Sequence, residues 1–164
     1  MTVIICIDKK GGVMFNHRRV SRDKAAIWYI CGSAAQGGRL LVSPYSKNMF
    51  QRNGELPGHL VVSEDPLAEA GEGDVCFLED TISTYDPAKV DELVLIHWNR
   101  DYPSDQRFPL DDFLREVEEG KWTKRSETVL SGSSHEEILI RIFGKEGWDS
   151  DKTCGLRQRS QTFV

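Results

Sequence analysis

ELVLIHWNRDYPSDQRFP, residues 92–109, passes from Leu93-Val94-Leu95-Ile96 through His97 and Trp98 into the turn-forming run Asn99-Arg100-Asp101-Tyr102-Pro103-Ser104-Asp105. A short apolar run of branched residues bounded by turn chemistry predicts a buried strand. Because the apolar character is continuous rather than alternating, both faces of Leu93–Trp98 are expected to be covered, as at the centre of a mainly parallel sheet.

The elements on either side fit such a sheet. Val3–Ile7, Leu40–Val42, Leu60–Val62 and Val75–Leu78 read as further strands, with helical or turn segments between them. This alternation predicts an α/β sheet with crossovers. Val13–Val20 reads as a polar loop centred on Asn16-His17-Arg18-Arg19. Ser21 is the expected N-cap of a helix whose apolar face is Ile27, Trp28, Ile30 and Cys31, and Ser46 is the expected cap of a second helix carrying Met49 and Phe50. Leu110, Phe113, Leu114 and Val117 are spaced to form one face of an amphipathic helix, with Glu116, Glu118 and Glu119 outward. Trp122–Leu130 and Ile138–Phe143 flank Ser131-Gly132-Ser133-Ser134, which predicts an antiparallel hairpin. Residues 1–143 are thus expected to form one domain, and residues 144–164 a C-terminal tail.

Composition narrows the function classes. At 164 residues the chain can bury a full core, and 39% hydrophobic with 29% charged residues suits a soluble globular protein. No apolar run is long enough to span a bilayer, and the first residues lack a secretory n-region, so no membrane association and a cytoplasmic location are expected. Cys6, Cys31, Cys76 and Cys154 are widely spaced, which favours free thiols. The net charge of −5 is unevenly distributed: residues 1–60 carry +6, residues 61–120 carry −13 and the remainder +2. An acidic centre without a basic stripe argues against nucleic acid as a partner. The four histidines, His17, His59, His97 and His135, form no H-x-H-x-D-H or H-E-x-x-H pattern, so no metal site is expected. Ser133-Ser134-His135-Glu136 reads as a tight hairpin rather than a nucleophile and base.

In order and spacing, these segments resemble the dihydrofolate reductase family over residues 1–143. The resemblance rests on the 92–109 stretch, on Leu56-Pro57-Gly58 followed by Leu60-Val61-Val62-Ser63, on a helix bearing Trp28-Tyr29, and on the last hairpin through Ser133-Ser134-His135. It implies a three-layer α/β fold with a mainly parallel sheet, helices on both faces and a C-terminal antiparallel hairpin. For such reductases it also implies NADPH, a pterin-like substrate and a carboxylate at the start of the first helix, for which Asp23 is the candidate catalytic residue. Ser43, Ser46 and Leu78 would lie at the cofactor, and Cys6, Tyr29, Phe50, His59 and Ile96 at the substrate.

Several family features are replaced. Ala25 falls where the carboxylate is expected, so Asp23 also reads as a helix N-terminal acid. His59 and Pro44 occupy positions where the family places arginines. Leu78-Glu79-Asp80 follows the fourth strand in place of a glycine pair, putting two carboxylates where phosphates would lie. The expectation is therefore a protein that binds a small molecule or a protein partner, with no cofactor. Arg18 or Arg19 would pair with Glu79 or Asp80 to close the cleft. The alternative is an NAD(P)H-dependent reductase of a pterin or related heterocycle with altered anchors, which would use NADPH.

Overall fold

A computed structural model describes residues 1–34 and 37–147. Its centre is a seven-stranded sheet whose strands in chain order are β1 (Thr2–Ile7), β4 (Leu40–Val42), β5 (Leu60–Val62), β6 (Val75–Phe77), β7 (Glu92–His97), β9 (Trp122–Leu130) and β10 (Ile138–Lys145). Their spatial order is β5-β4-β6-β1-β7-β10-β9. The first five positions in this order are joined by parallel pairings, and β10 joins β7 and β9 in antiparallel register. A smaller sheet pairs β2 (Gly12–Phe15) with β3 (Arg18–Arg19) and β8 (Gln106–Arg107).

β7 lies between β1 and β10, with Ile5 opposite Leu95 and Ile140 opposite Ile96. Every residue of β7 is buried. Side chains alternate across a strand, so the sheet carries two cores. Ile4, Cys6, Val94 and Ile96 face Ala26, Ile27, Tyr29, Ile30, Met49 and Phe50. These come from α1 (Lys24–Gly32) and α2 (Pro44–Arg52). Val3, Ile5, Ile7, Leu93 and Leu95 face the other way, toward Leu67, Phe108, Phe113, Trp122 and Phe143. Leu67 lies on α3 (Pro66–Glu69) and Phe113 on α4 (Leu110–Glu118). The continuous apolar run in β7 thus serves both layers.

Several local expectations are corrected. Val13–Val20 contains the β2–β3 hairpin, not an open loop. Asn16 and His17 take φ of 51° and 63°, the paired left-handed residues of a tight hairpin turn. Asp23, not Ser21, caps α1, and Ser43, not Ser46, caps α2 ahead of Pro44. In α1 Tyr29 is buried and Trp28 is 47% exposed, because the short helix rests on the sheet through Ala26, Ile27, Tyr29 and Ile30. Leu114 is also at the surface, and Glu116 is partly buried, accepting a bond from Trp122 Nε1 at 2.9 Å. α4 therefore docks mainly through Phe113, which meets Phe108, Trp122 and Phe143 edge-on. The last strand also outruns its expected end: Gly144 pairs with Glu92 and Thr123. The rest of the expected tail, residues 148–164, lies outside the described residues, as does Cys154, whereas Cys6, Cys31 and Cys76 are free thiols. No helix among the described residues is long and apolar enough to cross a membrane.

Candidate functional site: a closed cleft beside an arginine groove

Open α/β sheets bind ligands beyond the carboxyl ends of their strands. Here β1, β4 and β6 deliver Asp8, Ser43 and Leu78-Glu79-Asp80 to that edge. Ser43 has extended backbone, and its Oγ accepts from Ser46 N–H at 3.1 Å, satisfying one free donor of α2. The same hydroxyl donates to Asp80 Oδ1 at 2.6 Å. One position down, Ser46 Oγ donates to Glu79 Oε1 at 2.7 Å. Arg19, delivered by the β2–β3 hairpin, completes the arrangement with a two-pronged contact to Glu79, Nε–Oε2 at 3.0 Å and Nη2–Oε1 at 3.2 Å. Its guanidinium lies 4.5 Å from the centre of the Tyr45 ring. The pair is largely dry, with side-chain exposures of 17% for Arg19 and 5% for Glu79.

These contacts place the residues read at the cofactor position. Ser43, Ser46 and Leu78 are buried, and both hydroxyls are engaged by the chain's own carboxylates. Arg19 and Glu79 pair directly, Asp80 is held by Ser43, and Arg18 projects to the surface. Of the residues read at the substrate position, Cys6 lines the inner cleft, whose free volume is only about 10 Å³. That space holds at most one water. Burial pushes the Cys6 thiol well above its ordinary range, and the neighbouring Glu79 carboxylate pushes it further. Tyr29, Phe50 and Ile96 are core residues. His59 lies at the far end of α1, its Nε2 2.8 Å from the Cys31 carbonyl oxygen.

Asp23 is a junction between α1 and the last hairpin. Its side chain is fully buried. Oδ1 accepts from the backbone of Ala25 at 2.8 Å and Ser133 at 3.0 Å. Oδ2 accepts from Ser134 N–H at 2.7 Å and His135 N–H at 3.1 Å, with His135 Nδ1 at 3.2 Å. Burial alone would raise the carboxyl pKa, but these donors overcome it and hold the group well below the usual carboxylate range. Gly132 makes the approach possible: a Cβ there would collide with the His135 carbonyl oxygen and sit 2.6 Å from Asp23 Oδ2.

His135 is buried and stacks on Trp98 at 4.9 Å. Its Nε2 lies 3.0 Å from Ser21 Oγ and 3.3 Å from the Tyr102 hydroxyl. Tyr102 is fixed by its own backbone, whose N–H donates to buried Asp8 at 3.0 Å.

Beside this cluster is an open groove of about 600 Å³, walled by Arg18, Arg19, Ser21, Arg22, Tyr45 and Arg52 among others. Arg18, Arg22 and Arg52 are exposed, and their guanidinium groups make no ion pair among the described residues. A second opening of about 280 Å³ continues past Arg22 and Arg52 to Lys24 and Ser133. Ser21, His135, Tyr102, Arg22 and Arg52 carry no sequence signal that marks them as neighbours. The +6 charge of the first sixty residues was the only trace of the groove. Nothing in the spacing of Ser21, Asp23 and His135 announces that a loop 112 residues away returns to α1.

No protein-family model and no curated protein matches the sequence. Among solved structures, the chain is similar to dihydrofolate reductase from Enterococcus faecalis complexed with NADP(H) and RAB-propyl. The TM-score is 0.57 at 12% identity, covering 88% of this chain and 95% of that one. The protein therefore has a dihydrofolate reductase-like fold, the α/β class expected from its strands. At this identity the likeness is one of fold, and function is argued from the site.

Proposed function

We propose that the protein uses this scaffold to bind a small anionic molecule in the arginine groove, and that it lacks useful NADPH-dependent reductase activity. The observation that carries this reading is the contrast between two neighbouring spaces. The sheet-edge position is filled by Ser43–Asp80, Ser46–Glu79 and Arg19–Glu79, while Arg18, Arg22 and Arg52 line about 600 Å³ with no ion pair among the described residues. That volume is in the range of ordinary small-molecule sites. Guanidinium groups offer forked donors suited to carboxylates and phosphates.

Charge disfavours a dinucleotide at the filled position. A phosphate about 4 Å from one carboxylate is repelled by roughly 1 kcal/mol at the dielectric of water and about 4 at an effective value of 20. This weakens binding by a factor of about five to a thousand. The competing reading, an NAD(P)H-dependent reductase with altered anchors, draws on the fold likeness to a protein solved with NADP(H). Calorimetric titration with inorganic pyrophosphate at low salt separates the two from the ligand's side. Saturable binding that Arg22→Ala and Arg52→Ala each weaken at least fivefold supports the groove. Binding unchanged in both variants overturns it.

A further inference from the structure

We propose that Ser21 is a catalytic nucleophile, with His135 as its general base and Asp23 as the residue that positions His135, so that the groove hydrolyses esters of anionic carboxylic acids. The three groups lie in line. Asp23 Oδ2 is 3.2 Å from His135 Nδ1, and His135 Nε2 is 3.0 Å from Ser21 Oγ. The ionised carboxylate accepts only, and the Ser134 hydroxyl, 3.1 Å from Nδ1, has the Arg22 carbonyl and Asp23 Oδ2 as acceptors for its own proton; this assigns the Nδ1 proton toward Asp23 and leaves Nε2 bare to accept from the serine hydroxyl. A nucleophile, a base and an orienting group within hydrogen-bond reach are the geometric requirement for activating a serine.

Burial follows the same order. Asp23 and His135 are 2% and 5% exposed, whereas Ser21 is partly exposed and forms part of the groove wall. Fold maintenance accounts for Asp23 and the backbone of residues 133–135. It does not account for Nε2 turning to a hydroxyl at the edge of an open groove. Ser21 has no capping duty, since α1 is capped by Asp23. Among the described residues its remaining side-chain hydrogen-bond partner is the Tyr102 hydroxyl, 3.3 Å from both Ser21 Oγ and His135 Nε2; with that hydroxyl donating to Ser21 Oγ, the serine proton points at Nε2, the shorter of the two contacts to the ring at 3.0 Å.

In the reaction, Ser21 Oγ attacks the ester carbonyl carbon and its proton passes to His135 Nε2. The carbon–oxygen bond to the leaving alcohol breaks, and that alcohol takes the proton from His135. Water, deprotonated by His135, then attacks the acyl-serine and releases the acid and the free Ser21 hydroxyl. No oxidant or cofactor enters the balance. The choice of an anionic acid rests on the arginine-groove reading above; the nucleophile assignment does not.

The test combines a fluorophosphonate probe, read by intact-protein and peptide mass spectrometry, with hydrolysis of mono(4-nitrophenyl) adipate and neutral 4-nitrophenyl acetate. One covalent adduct on Ser21 is expected. Ser21→Ala, confirmed folded by its melting curve, should lose the adduct and at least 100-fold in adipate ester turnover. Asp23→Asn, measured on its folded fraction, should lower kcat with KM for the adipate ester unchanged. Arg22→Ala and Arg52→Ala should raise that KM at least fivefold more than they raise the KM for neutral 4-nitrophenyl acetate. Labelling at Ser21 with no preference for the anionic ester would keep the nucleophile and refute the groove. An absence of labelling and of turnover above the Ser21→Ala background would overturn the proposal while leaving anion binding standing.

Discussion

Replacing Asp23 by Asn removes one charge and almost no volume, yet it should be among the most damaging single changes in the chain. Asp23 receives two backbone N–H groups on each oxygen, from Ala25 and Ser133 on Oδ1 and from Ser134 and His135 on Oδ2. Asparagine has one accepting oxygen and one donating nitrogen, so either orientation sets an NH₂ against two buried N–H donors. Hydrogen bonds to charged groups are worth about 1.5–3 kcal/mol each, and two are lost together, giving an expected destabilisation of about 3–6 kcal/mol. That is a large share of a typical domain stability of about 5–15 kcal/mol.

The pH dependence follows from the direction of the shift. The folded-state pKa of Asp23 is depressed, so its contribution is fully present above the unfolded value of about 3.9 and is lost as pH falls through the folded value. The gap between wild type and Asp23→Asn should be constant from pH 7 to 5 and shrink below about pH 4. Urea unfolding followed by tryptophan fluorescence measures both quantities. A loss under about 1 kcal/mol at pH 7, or a gap that widens on acidification, would refute the reasoning.

Three further outcomes can be read by denaturation. Arg19→Met should cost about 2–4 kcal/mol because it strands the buried Glu79 carboxylate, and the double change Arg19→Met/Glu79→Leu should recover most of the loss. Additive losses in that double-mutant cycle would contradict the pairing. Phe113→Ala should cost about 3–5 kcal/mol, whereas Leu114→Ala, at the surface, should cost less than about 1. Comparable losses at the two positions would show that α4 docks differently. Gly132→Ala should destabilise by at least about 2 kcal/mol, since the new Cβ would collide with the His135 carbonyl oxygen and Asp23; a neutral substitution would mean that the hairpin can move away from α1.

Much of the sheet was legible because its signal is local. The interior of a doubly buried strand reads as a continuous apolar run, and Leu93–Ile96 does so between buried Glu92 and His97. The two helix caps were misplaced by two or three residues for a physical reason. Ser21, Asp23, Ser43 and Ser46 are all competent caps, and tertiary partners decide among them: residues 133–135 hold Asp23 in place, and Asp80 holds Ser43. Trp28 and Leu114 satisfy the helical period, yet both end at the surface because α1 and α4 are only nine residues long and rest on the sheet through few positions. The pairing of Arg19 with Glu79 could be anticipated from charge asymmetry between segments that meet at one sheet edge. The Ser21–His135–Asp23 line could not, because it depends on the return of a hairpin whose residues individually read as turn formers.

The proposal that the sheet-edge cleft is closed to a dinucleotide can be put to a single titration. NADPH fluorescence is followed as protein is added at low salt, for wild type and for Glu79→Ala. Wild type should bind more weakly than about 10 μM, equivalent to roughly −7 kcal/mol, and removal of one carboxylate should strengthen binding about fivefold or more. A wild-type dissociation constant tighter than 10 μM, or no gain from Glu79→Ala, would contradict the closed cleft and return the reductase reading to first place.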